Sequence, residues 1–259
     1  MRSSFSSSTL IRLLGGWAPA GAEPSGLDVA ERLGLWVNAF DAIRLQAAHQ
    51  AIAQLGTAAA ARRRRPARPP SLAEDVQRVR SALLQAIAQE PGPVVETALT
   101  PADLRRLARA AAQPQSGEDD ASYLRWRQRH LELQRQMELM LPPLREHVRQ
   151  ALAQGPARLR QLAALDAAME QVLAPREQKL LPAIAGRMEQ RFAQLRAEHL
   201  QALQQGAQHD DPAAWRQPGG WLARFALEWR QLLAAELDLR LQPVTGLVEA
   251  AAKHWNEQQ

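Results

Sequence analysis

Residues 123–152 read YLRWRQRHLELQRQMELMLPPLREHVRQAL, and the spacing of their apolar side chains decides the fold class. Tyr123, Trp126, Leu133, Met137, Met140 or Leu141, Leu144, Val148 and Leu152 follow one another in helical steps. Steps of three and four keep side chains on one face of a helix with about 3.6 residues per turn, whereas a half-buried strand would alternate. The pattern resumes at Leu159, Leu162, Leu165, Met169 and Val172, and again at Leu181, Ile184, Met188, Phe192, Leu195 and Leu203. Each stretch therefore reads as a helix that buries one side.

Composition extends that reading to the whole chain of 259 residues. Aromatics are only 5%, with one Tyr and four Phe, while Ala, Leu, Arg, Gln and Glu, all strong helix formers, dominate. The expected class is all-α, an antiparallel helical bundle or coiled-coil-like hairpins with a smaller N-terminal helical part. The absence of cysteine removes disulfides, thiolate zinc sites and cysteine nucleophiles, and fits a reducing, cytoplasmic setting. The longest charge-free run, Leu45 to Ala61, contains Gln46, His49, Gln50 and Gln54 and is too polar to cross a membrane. Ala20-Gly21-Ala22 resembles a signal-peptidase site, but Arg12 and the glycines and proline after it interrupt the apolar run an export signal needs. A short helix at Ser8–Leu14 that docks Leu10, Ile11 and Leu14 is expected there instead.

The segments divide as follows. Residues 1–56 hold N-terminal helices, the main one from Gly26 to Leu55 with Val29, Leu33, Trp36, Phe40, Ile43 and Ala47 inward and Gly56 as its stop. Residues 57–70 form an exposed linker rich in Arg and Pro. Residues 71–112 hold two short helices, one opened by the capping box Ser71-Leu72-Ala73-Glu74 and one by Thr100-Pro101. Residues 121–205 form long hairpins, with a kink or break at Leu141 before Pro142-Pro143, a stop at Gly155-Pro156, and starts or kinks at Pro175 and Pro182. After the polar loop 206–220, residues 221–257 form two helices, Trp221–Leu239 and Val244–Asn256, packed with 71–205 as one domain.

The search for chemistry returns little. The histidines lack the His-Glu-x-x-His spacing of helical zinc sites, the paired glycines lack both phosphate-binding fingerprints, and no nucleophile elbow occurs. His130 and His199 are expected as hydrogen-bonded histidines beside the core, and Asp211 before Pro212 as a helix cap. No catalytic, cofactor-binding or metal-ligating residue is assigned. The formal charge of +5 is local: Arg62, Arg63, Arg64, Arg65 and Arg68 carry it, and without them 27 basic residues stand against 27 acidic ones. That tract is a candidate for phosphate or anionic headgroups, although no aromatics interleave with it to stack bases. Trp36, Trp126 and Trp229 lie on core faces. Trp215, Trp221 and Trp255 lie in or near loops or the C-terminal helix and are candidate interface anchors, with core packing the plainer alternative.

Several blocks carry a family resemblance. Phe5, Leu10, Arg12, Leu13 and Leu14, Ala30-Glu31-Arg32-Leu33-Gly34 with Trp36, and Asp41-Ala42-Ile43 resemble the start of a proteobacterial family of unknown function. Leu162-Ala163-Ala164-Leu165-Asp166, and Leu237 to Pro243 with Gly246-Leu247, resemble its later blocks, while Pro142-Pro143 and Pro175 depart from its smoother helices. The resemblance implies an association with OmpA-like envelope proteins and motor-like inner-membrane proteins, and no assigned activity. The leading expectation is a non-enzymatic cytoplasmic protein, an accessory of an envelope-linked assembly, that acts by contact with other proteins or with itself. The alternative is a nucleic-acid or anionic-surface binder working through Arg62–Arg68.

Overall fold

The computed structural model describes residues 8–17, 39–57, 72–92, 122–180, 182–206 and 209–256. Seven α-helices and one short 3-10 turn occur among these residues, and no strand does. The helices are α1 (Thr9–Gly16), α2 (Ala39–Thr57), α3 (Leu72–Ala88), α4 (Tyr123–Ala153), α5 (Ala157–Leu180), α6 (Pro182–Gly206) and α7 (Trp221–Asn256); the 3-10 turn is Pro212–Ala214. The all-α reading therefore holds. The helix portion upstream of Ala39, the arginine tract, Ser71 and the helix opened by Thr100 lie outside the described residues.

Four prolines stand inside helices where breaks or kinks were expected. The chain does not break at Leu141: α4 runs through Pro142 and Pro143, α5 continues through Pro175 to Leu180, and α7 passes Pro243 as one helix. A proline removes the hydrogen bond to the carbonyl four residues back. The carbonyls released by Pro142, Pro143 and Pro175 belong to Glu138, Leu139 and Gln171, all exposed, so water can take them. Buried Met137, Leu141, Leu144 and Val148 keep their helical register across the proline pair, and tertiary burial of that face holds the helix together. Pro182, by contrast, sits at the first position of α6, where a missing N–H costs nothing.

The chain gathers into two compact units, each built from separated segments. The first comprises 1–82, 138–181 and 236–259, the second 83–137 and 182–235. In the first unit, α1 buries Leu10 beside half-buried Leu13 and Leu14, while Ile11, expected to dock, is 46% exposed. The turn between α4 and α5 closes at Gly155, whose N–H donates to the Leu152 carbonyl at 3.0 Å. A side chain at Gly155 would press on that same carbonyl and on Leu159, at 3.1 and 3.3 Å, so the tight hairpin favours glycine. Across the hairpin, Arg145 forks onto Asp166 at 2.7 and 2.8 Å, and Arg149 joins Asp166 and Glu170. Burial works against the charge on Arg149, and its hydrogen bonds to Glu170 and Glu146 overcome that, so its pKa rises.

The second unit is organised around aromatic rings. Trp126 of α4 meets Phe225 and Trp229 of α7 edge-on, with centroids 5.0 and 5.2 Å away, and Phe192 of α6 meets Phe225 edge-on at 4.9 Å. Tyr123 packs against Phe192 and donates its hydroxyl to the Ala185 carbonyl at 2.7 Å. Leu133, Met188, Leu195, Leu222, Leu232 and Leu233 complete a core that is closed to solvent, as the helical periodicity predicts. Arg191 on α6 reaches Glu228 on α7, and Glu198 further along α6 lies near Arg224 further back on α7, so this pair runs antiparallel. Arginines of α4 finish α3: Arg129 donates to the Ala86 carbonyl and Arg125 to that of Pro91, satisfying acceptors at and beyond a helix end.

Candidate functional site

The first unit carries an open cleft of about 360 Å³ bounded by α2, α5 and α7. Its position follows from how α2 seats on α5. Asp41, at the start of α2, takes a hydrogen bond from Arg176 at 3.0 Å, and the Ile52 carbonyl, near its end, takes one from Gln161 at 3.1 Å. Later residues of α2 thus meet earlier residues of α5, which fixes an antiparallel pair at two points. The α2 face turned inward carries Asp41, Leu45, Ala48 and Ile52, all buried or half-buried. This corrects the expected face: Phe40 is 77% exposed, Ile43 is 63% exposed, and Ala47 is open as well. The two faces lie roughly 140° apart at about 100° per residue. The ion pair of half-buried Arg176 with buried Asp41 turns the other side of α2 toward α5.

Apolar side chains floor the cleft: Ile52 from α2, Leu159, Leu162 and Leu165 from α5, and Ala250 from α7. Arg158, Lys253 and His254 stand among them as the basic lining groups, and no carboxylate lines the cleft among the described residues. Leu165, read as an inward residue of the α5 stripe, is 47% exposed. Leu159 and Val172 of the expected stripe are buried, Leu162 and Met169 are half-buried, and Ala163 is the inward position the stripe omitted, with Asp166 nearby to meet Arg145. Leucine and alanine score alike as apolar in a periodic pattern, so only the partner helix distinguishes them.

The second unit holds the other polar cluster of note. Asp210 pairs with the Nε2 of His199 at 2.9 Å and accepts the indole N–H of Trp215 at 2.7 Å. Burial raises the Asp210 pKa, but the hydrogen bonds from His199 and Trp215 outweigh it and bring it below the usual carboxylate range. Asp211 caps the 3-10 turn by accepting from the Ala213 N–H at 3.0 Å, as expected. The Trp215 carbonyl then accepts from the N–H of Ala223, one of the first-turn donors of α7 that has no helical partner. A side chain at Gly220 would collide with that carbonyl, and Gly219 takes a φ of 93° to deliver the chain into α7. The loop read only as polar is therefore a packed support for α7. The His199–Asp210 pair holds this loop. Among the described residues, no group of three or more His, Asp or Glu side chains is placed to hold a metal ion.

The candidate interface tryptophans fall mostly inside. Trp215 and Trp221 are buried, 5.6 Å apart beside His199, so neither is an exposed anchor, and the plainer core reading applies. Trp255 is half-buried and lies beside His254. Arg62, Arg63, Arg64, Arg65 and Arg68 lie outside the described residues. Sequence reasoning missed the cleft altogether, because Ile52, Arg158 and Lys253 are far apart in the chain and none belongs to a motif. No helix of the described residues is long and apolar enough to cross a membrane. No curated protein and no solved structure matches the chain. A family model described as "Protein of unknown function (DUF3348)" matches residues 1–253, and the chain belongs to that family.

Proposed function

We propose that this protein is a non-enzymatic interaction protein that engages a helical partner through an open face of α2. The observation that carries the reading is the pair Phe40 and Ile43, 77% and 63% exposed and one helical turn apart, with Ala47 continuing the same face. Single exposed apolar residues are ordinary, but a Phe and an Ile on one face, opposite the side already seated on α5, match the spacing by which helices pack on helices. The family resemblance supports a cytoplasmic accessory of an envelope-linked assembly as the setting. The test is Phe40→Asp with Ile43→Asp, compared with the unaltered chain by light scattering and by recovery of partners from the native cell. Loss of partner recovery or of self-association, with the helical dichroism unchanged, is the expected result. An unaltered chain that stays monomeric and recovers nothing sinks the reading.

A second reading rests on a separate observation, the five arginines within residues 62–68 without an intervening acid. Such a tract supports binding to nucleic acid or an anionic surface, with affinity that falls steeply as salt rises. Replacing all five by Gln and titrating DNA and anionic vesicles at several salt concentrations tests it. Equal binding by both proteins removes it.

A further inference from the structure

From the α2–α5–α7 cleft we infer a binding site for a small anionic amphiphile, an aliphatic chain ending in a single carboxylate. The dimensions favour a small ligand over a docked helix. The α5 lining spans only Arg158 to Leu165, about two turns, α7 adds one turn, and α2 adds Ile52 alone. A partner helix needs contacts repeated over several turns, whereas about 360 Å³ falls in the range of small-molecule clefts. Ile52, Leu159, Leu162 and Leu165 offer the chain a continuous apolar floor.

The charges fix the head. Arg158 and Lys253 are both exposed, and neither has an ion pair or hydrogen bond among the described residues. Lys253 in the last turn of α7 has a plain electrostatic reason to be there, since a cation complements the negative end of the helix dipole. Arg158 has none. It stands in the first turn of α5, where the dipole disfavours a cation, and that turn carries no acid to offset it. Both cations line the same cleft, so an anionic head bound there can take charge-assisted hydrogen bonds from either.

The test uses the full chain with decanoate as probe, read by calorimetry below the concentration at which decanoate forms micelles. Decanol supplies the same tail without the charge, and acetate the same head without the tail. Saturable binding of decanoate at one site per chain is expected, with decanol and acetate each weaker by about tenfold or more. Arg158→Glu with Lys253→Glu should weaken decanoate by about tenfold, and Leu165→Asp should do the same from the apolar side. All three positions are exposed, so the helical dichroism should not change. Decanoate that fails to saturate, decanol that binds as tightly as decanoate, or variants that bind like the unaltered chain would each overturn the inference. So would an acidic amphipathic peptide that occupies the cleft while decanoate does not, which would assign the cleft to a protein partner.

Discussion

Single side chains set the balance of the second unit, and Arg191 with Glu228 is the clearest case. Arg191 is buried and forks onto Glu228 at 2.6 and 2.8 Å, with Arg224 also on Glu228. Hydrogen bonding to Glu228 raises the Arg191 pKa against the opposing effect of burial. Burial raises the Glu228 pKa, but hydrogen bonds from Arg191 and Arg224 and their charges lower it further, so the net shift is downward from the ordinary 4.5. A carboxyl with a lowered native pKa contributes stability that is complete above its unfolded value and is lost as pH falls through the native one. Denaturation midpoints should therefore drop below about pH 5 in the unaltered protein and drop less steeply in Glu228→Gln. Arg191→Ala should cost about 1–2 kcal/mol at neutral pH, because it leaves the largely buried Glu228 carboxylate with only the exposed Arg224 as partner. Equal acid sensitivity in both proteins would place the pair among ornamental surface contacts. Neither residue was legible as a pair in the sequence: 37 positions separate them, and a charged residue on an apolar helix looks solvated until its partner is known.

At the scale of elements, the hydrophobic register was legible wherever a helix buries one face against several others. Trp126, Leu133, Met137, Val148 and Leu152 on α4, and Met188, Phe192 and Leu195 on α6, are all buried. It failed on α2, and on α5 at Leu165 alone, where the two helices meet over a mixed surface of small, polar and apolar residues and the largest side chains no longer mark the inward side throughout. Helix ends were legible at glycine, as Gly155 and Gly206 show, and at Pro156 and Pro182, but were misread at Pro142, Pro143 and Pro243. Local chemistry at Pro142 and Pro143 argues for a break, while burial on both sides argues for continuity, and the second is stronger. Because both rings are exposed, Pro142→Ala and Pro143→Ala should restore a hydrogen bond each without opening a void. We expect each to raise the unfolding free energy, read from a urea titration, by about 1 kcal/mol once the greater freedom of the unfolded chain is subtracted. A loss of stability in either variant would mean that the ring itself supports the packing.

The molecule as a whole is interleaved. Helices α3, α4 and α7 each begin in one compact unit and end in the other, and neither unit is a continuous piece of chain. Nothing in composition or linker patterning signals this, since the boundaries fall at ordinary helix positions such as 137–138 and 235–236. A chain ending at Leu181 would lack 182–235 from one unit and 236–259 from the other. It should therefore lose cooperative unfolding entirely rather than retain one folded half, as near-ultraviolet dichroism and a denaturant titration would reveal. A sharp transition of the truncated chain would show that residues 1–181 form a core by themselves.

The aromatic core of the second unit has an optical consequence. Trp126 and Trp229 lie 5.2 Å apart at 76°, and Trp215 and Trp221 lie 5.6 Å apart at 57°. At such separations and inclined planes the indole transition dipoles couple, so the native chain should display a paired positive and negative band in its ultraviolet dichroism. Its emission should be blue-shifted by burial and depolarised by energy hopping between rings. Loosening of the rings would erase the couplet before helix content fell, giving the protein a built-in reporter of how tightly that unit is packed.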